Sequence, residues 1–101
     1  MDPDRPDIQI SDVVVSTAGR DKEELFYVVG TDGVYVLLAN GRERKLEKPK
    51  RKKCKNVKKV LRSETRVAGS LLSGGKVLNS ELRKDLAYLS RELSCQNQGG
   101  Y

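Results

Sequence analysis

The chain has 101 residues, 37% of them hydrophobic, with no tryptophan, no histidine, two cysteines and a net charge of +6. That length is one domain with at most a small appendage, and its core must be small. No apolar run approaches the roughly 20 residues of a membrane span, and without histidine neither a Ser-His or Cys-His catalytic pair nor a Cys/His zinc site can be built.

The start is acidic and proline-containing (Asp2, Pro3, Asp4, Pro6, Asp7), the opposite of a secretory leader. This predicts a cytoplasmic protein in which Cys54 and Cys95 are free thiols. Residues 1–9 read as a flexible acidic arm. Val13, Val14 and Val15 form a β-branched run bounded by Ser, Thr and Gly, which predicts a strand. Residues 16–24 are polar and read as an exposed loop. Residues 25–29 predict a second strand, Thr31-Asp32-Gly33 a tight turn, and residues 34–39 a third strand. Asn40-Gly41 is a strong hairpin signal, because both central positions of a type I′ turn need positive φ. Residues 42–47 would then pair back as a fourth strand, with Arg42 and Arg44 on one face and Glu43 and Lys45 on the other. Pro49 should end that strand; residues 50–55 are too charged to be buried, and residues 50–53 should leave as an exposed, flexible stretch. Val57, Val60 and Leu61 suggest a short last strand or a single helical turn. Four or five strands this short fit a small closed barrel better than a sandwich, since closure removes exposed edges.

The pattern changes after Arg62. Residues 63–72 predict a short helix with Val67, Leu71 and Leu72 inward, stopped at Ser73-Gly74-Gly75. Asn79 reads as the N-cap of a second helix. Leu78, Leu82, Leu86, Leu89 and Leu93 recur at helical spacing as one apolar stripe, expected to dock on the barrel. The helical extension is expected over residues 63–95, with a flexible tail at 96–101.

Twelve of the 20 basic residues lie at positions 42–62, opposed there only by Glu43 and Glu47, so this window carries +10 while the remainder carries −4. Such concentration is an electrostatic footprint for a polyanion. The candidate contacts within it are Arg42, Arg44, Lys45, Lys48, Lys50, Arg51, Lys52, Lys53, Lys55 and Lys58. Phe26, Tyr27 and Tyr35 could stack on bases, but in so small a core at least two of them should be packing residues. Cys54, among cations, reads as an incidental surface thiol. The carboxylates are scattered, and Gly74-Gly75-Lys76 lacks the strand and spacing of a phosphate-binding loop, so no catalytic role is expected.

The stretch DVVVSTAGRDK, from Asp12 to Lys22, followed by a strand containing Val28, resembles a KOW motif. The continuation LLANGRERKLEKPKRKK resembles bacterial KOW-domain proteins related to the eukaryotic-type large-subunit ribosomal proteins, and LNSELRKDL is similar, less specifically, to their C-terminal extension. The resemblance covers about half of the chain, roughly residues 11–60. It implies a mainly β protein: a small SH3-like (KOW) barrel of about five strands over residues 10–62, with a C-terminal helical appendage. By position, Gly19, Arg20 and Lys22 match the family's RNA-facing loop and Val28 its core valine. The hairpin at Asn40-Gly41 would bring Arg42 and Arg44 beside that loop. The family usually has glycine where this chain has Glu23, followed by Glu24.

The expected function is therefore non-enzymatic RNA binding at the ribosome or ribosomal RNA, without cofactor or metal. Expected partners are ribosomal RNA and ribosomal proteins, with no membrane and no small-molecule substrate. The alternatives are a protein-interaction module and a KOW-type factor associated with RNA polymerase.

Overall fold

The computed structural model describes residues 8–99, with side chains through Leu93. It is mainly β, followed by two helices. The elements are β1 (Asp12–Ser16), β2 (Leu25–Asp32), β3 (Tyr35–Ala39), β4 (Lys50–Lys53), a one-turn 3-10 helix (Cys54–Asn56), β5 (Val57–Arg62), α1 (Arg66–Ser73) and α2 (Asn79–Gly99). The strands form one antiparallel sheet in the order β4-β3-β2-β1-β5. Residues 1–7 of the expected acidic arm, the last two residues of the tail, and the Cys95 side chain lie outside the described residues.

The sheet must curl. Its two edges, β4 and β5, are consecutive in the chain and joined by three residues. Four residue steps reach at most about 14 Å, whereas the edges of a flat five-stranded sheet lie about 19 Å apart. Two irregularities in register assist the bend, one at Val13/Val14 against β5 and one at Val28/Gly30 against β3, as extra residues in a ladder do. One face of the curled sheet encloses Val14, Phe26, Val28, Val36, Leu38, Cys54 and Val57. The other face carries Val13, Tyr27 and Ala39 against Val67 and Ala68 of α1 and Leu82, Leu86 and Leu89 of α2.

The helical part is thus built into the core rather than appended to it. Leu82, Leu86 and Leu89 dock on the sheet as the stripe predicts, whereas Leu78 is exposed and Leu93 only half-buried. A partly buried polar knot adds direction to this packing. The Tyr27 hydroxyl donates to Asp85 on α2 and bonds Ser63 Oγ at 2.8 Å; Thr65 Oγ1, which caps α1 by accepting from Ala68 N, donates to Asp85 at 2.7 Å. Burial, together with the hydrogen bond to Asp85, pushes the Tyr27 hydroxyl up to about 12. Among the described residues, no helix is long and apolar enough to cross a membrane.

Several expected boundaries move. Ile8 packs on the enclosed cluster and Gln9 N donates to Asp12 Oδ2 at 2.8 Å, so the folded unit starts before residue 10. Val34 is exposed and outside β3, and α1 starts at Arg66 with Leu72 facing out. The segment 57–62 is a strand, paired with β1. Helix α2 continues to Gly99, through part of the expected tail. Asn79 does not cap α2: the Leu78 N–H instead donates to Glu81 Oε1 at 3.1 Å, one arm of a capping box.

The largest change is the fourth strand. Residues 42–47 are a loop, and the lysine run 50–53 is the strand beside β3. Asn40 decides this locally: its Oδ1 accepts from Arg42 N at 2.9 Å and Arg44 N at 3.0 Å, and Arg44 O accepts from both Asn40 N and Gly41 N. The chain is thereby closed into a compact turn rather than a two-residue hairpin. Asn79 then secures the loop, its Oδ1 accepting from Leu46 N at 2.8 Å and its Nδ2 donating to Glu47.

Gly41 is where this loop meets α2. Its φ is +78°, and a Cβ built there would lie 2.2 Å from the Asn79 carbonyl oxygen. Gly41→Ala should therefore cost roughly 2–4 kcal/mol, from left-handed backbone strain plus overpacking. Gly33 also has positive φ but nothing within 4 Å, so Gly33→Ala should cost only about 1 kcal/mol. Thermal melting of the two variants side by side checks the difference; equal shifts would mean the contact with α2 is not tight.

Candidate nucleic-acid interface

The backbone divides the basic window into exposed and engaged cations. Arg42, Arg44, Lys45 and Lys48 are exposed on the β3–β4 loop. Along β4 the side chains alternate: Arg51 and Lys53 are exposed, Lys50 is half-buried, and Lys52 is 9% exposed. Lys55 on the 3-10 turn and Lys58 on β5 are exposed. Lys59 pairs with buried Asp12, its Nζ 3.3 Å from Oδ2.

The expectation of a free, flexible run at 50–53 is therefore corrected, and the reason is Asp21. From the β1–β2 loop its carboxylate receives Lys50 Nζ at 2.6 Å and Lys52 Nζ at 2.7 Å, and Ser16 Oγ donates to it at 2.7 Å. Lys52 Nζ also donates to Ala18 O at 2.7 Å. A buried lysine is tolerable when it is paired and hydrogen-bonded, and Asp21 supplies the counter-charge while Ala18 O adds a second acceptor. Burial of Asp21 works against its charge. The hydrogen bonds from Lys50, Lys52 and Ser16 outweigh burial and hold the carboxyl well below the usual carboxylate range. Lys52 is thus a structural cation, not one turned to solvent, and Lys50 is partly engaged.

The same latch shapes the loop that resembles the KOW motif. Its base is closed by Glu23 N to Ser16 O at 2.7 Å and tied to the 3-10 turn by Thr17 N to Asn56 O at 2.9 Å. Arg20 and Lys22, on either side of Asp21, are left exposed. Glu23 has φ +73°. A glutamate thus holds left-handed backbone here, a conformation that costs an L-residue about 1 kcal/mol.

Two depressions flank this loop. One, of about 310 Å³, is lined by Arg20, Asp21, Glu24, Phe26, Glu43, Arg44 and Lys50. The other, of about 470 Å³, lies between the loops and α2 and includes Glu23, Glu24, Leu25, Arg42, Glu43, Arg83, Leu86, Ala87 and Arg91 in its lining. Arg44 and Arg20 both line the first. Arg42 lines the second and Lys22 neither; with residues 42–47 in a loop, the expected face shared by Arg42 and Arg44 is not formed. Glu43 accepts from Asn40 Nδ2 at 3.1 Å.

Phe26 and Tyr27 are core residues, in line with the expectation that at least two of the three aromatics pack. Tyr35 is half-buried with the Arg51 guanidinium 4.0 Å from its ring centroid, a cation–π contact that orients Arg51 on the outer side of β4. Cys54 is buried at 7% exposure among Val14, Phe26 and Leu38. It is a core thiol rather than a surface one, because the 3-10 turn that follows β4 points it inward. Arg83 and Arg91 lie outside the basic window and were not singled out by it. Their spacing of eight, with Ala87 midway, places them on one side of α2, and that periodicity was the available signal.

No family model matches the chain, and no curated protein matches it.

Proposed function

We propose that the protein is a non-enzymatic RNA-binding module, an SH3-like KOW barrel acting at the ribosome or on ribosomal RNA. The observation that carries this reading is the array of exposed cations on segments meeting at the Asp21 latch: Arg20 and Lys22 on the β1–β2 loop, Arg51 and Lys53 on β4, and Lys55 on the 3-10 turn. Arg42, Arg44, Lys45 and Lys48 on the β3–β4 loop and Lys58 on β5 extend it. Among the described residues, none of these is consumed by an ion pair. Such an array neutralises phosphates and releases counterions, with arginines adding paired hydrogen bonds. The resemblance of residues 11–60 to KOW proteins supports RNA over other polyanions. Lys52 is not included in the contact set, and Lys50 contributes only its partly exposed side.

The test avoids the latch. Replacing Lys48, Lys53, Lys55 and Lys58 by Gln should weaken binding to structured RNA broadly. It should also lower the log–log salt slope by ~0.7–0.9 for each phosphate that is no longer neutralised. Melting should barely change, since exposed charges contribute little to folding. Parent-like affinity and slope would make the basic window a solvated surface only. Sedimentation of the protein with RNA polymerase rather than with ribosomes would replace the ribosomal assignment by a transcriptional one.

A further inference from the structure

The cleft of about 470 Å³ between α2 and the two loops is not part of the basic window, yet it has its own cations and its own floor. Arg42 comes from the β3–β4 loop, Arg83 and Arg91 from α2. Among the described residues, no ion pair engages any of the three, although glutamates line the same cleft. The floor is apolar: Leu86 is buried beneath it, with Leu25 and Ala87 alongside. Glu24 and Glu43 stand between this cleft and the smaller depression that holds Arg20 and Arg44, since both carboxylates line both.

This arrangement discriminates between parts of a nucleic acid. Carboxylates repel phosphates but accept hydrogen bonds from the N–H groups of bases. Guanidinium groups to either side attract phosphates. An apolar floor suits the flat face of a base. A backbone crossing here must keep its phosphates on the arginines and turn a base toward the glutamates and the floor. A single strand can do that; a duplex holds its bases paired and stacked inside. The rim also carries strained backbone, Glu23 at φ +73°, of the kind that persists where surrounding structure over-determines it.

We propose that this cleft seats an unpaired RNA base, with Arg42, Arg83 and Arg91 holding the phosphates beside it. The inference rests on the RNA-binding reading and extends the interface onto α2. Its ligand is a single-stranded or looped segment of RNA, and Glu24 and Glu43 face its base donors.

The experiment uses the full chain with a fluorescent 12-nucleotide single-stranded RNA and the blunt duplex of the same sequence. Ala87→Leu fills the floor at an exposed helical position without changing charge and without adding an aromatic face on which a base could stack. It should weaken single-strand binding on the order of tenfold, leave duplex binding within twofold, and leave the salt slope as in the parent. The pair Arg83→Gln and Arg91→Gln should weaken single-strand binding and lower the slope by ~0.7 for each phosphate released. Melting curves of both variants should overlay the parent's. Parent-like single-strand binding by Ala87→Leu, or equal losses on strand and duplex, overturns the base-seating cleft. If, in that case, the four-lysine variant is still weakened, the RNA-binding reading stands without the cleft. If the parent binds neither RNA, both fall.

Discussion

Asp21→Ala is expected to be among the most damaging substitutions in the protein, costing about 3–5 kcal/mol, because it strands Lys52 as a buried charge without its partner. A domain of this size has roughly 5–15 kcal/mol in all, so the variant should melt more than about 10 °C below the parent or fail to fold. Asp21→Asn keeps the shape and removes the charge, and it should fall between the two. Acid provides an independent readout. The Asp21 carboxyl is held below the value of about 3.9 that it has in an unfolded chain. The stability it contributes is therefore fully present above that value and is lost as pH falls through and below it. The melting temperature of the parent should drop from about pH 5 downward, and the gap between parent and Asp21→Asn should narrow over the same range. A gap that stayed constant from about pH 7 to about pH 2.5 would show that the latch does not depend on ionised Asp21. The same variants bear on the proposed RNA binding. The latch holds the loop of Arg20 and Lys22 against β4, so if the proposed function is right, loosening it should also weaken RNA binding under conditions where the variant remains folded.

Leu82→Ala is the second large effect. Leu82 is fully buried where α2 meets Val13, Tyr27 and Ala39 of the sheet. Truncating such a leucine typically costs about 2–5 kcal/mol, from lost transfer energy plus the cavity that remains. The melting temperature should fall by at least about 8 °C. Leu78, from the same stripe but 53% exposed, provides the contrast: Leu78→Ala should shift melting by no more than a degree or two, within the range of ordinary surface substitutions. Chemical denaturation of both proteins checks this. Equal effects would mean that α2 does not share the core of the sheet, and that the helical part folds apart from it.

The elements defined by local rules were legible before the structure. β-branched and aromatic runs marked β1, β2 and most of β3, since the period-two alternation of a half-buried strand is written in consecutive residues. The leucine spacing marked α2 and the face it buries, and Gly74 marked the end of α1, where a left-handed residue with φ +76° closes the helix. The concentration of charge at positions 42–62 was plain from composition.

What only the tertiary structure decided was which charged residues are free. By charge alone, residues 50–53 belong in solvent and residues 42–47, after Asn40-Gly41, belong in a hairpin. Two partners distant in sequence reverse this. Asn79, more than thirty residues away, holds the β3–β4 loop against α2 through Leu46 N and Glu47. Asp21, about as distant from Lys50 and Lys52, supplies the counter-charge that lets a lysine strand lie along β3 with one side turned inward. Neither pairing leaves a local trace, because a carboxylate 29 or 31 residues from its lysines has no period or spacing to read. Composition and short-range pattern determined that the protein is a small β-rich domain with a docked helix and a strongly basic segment. The long-range pairing of Asp21 with Lys50 and Lys52 determined the path of that segment and therefore which of its cations face solvent.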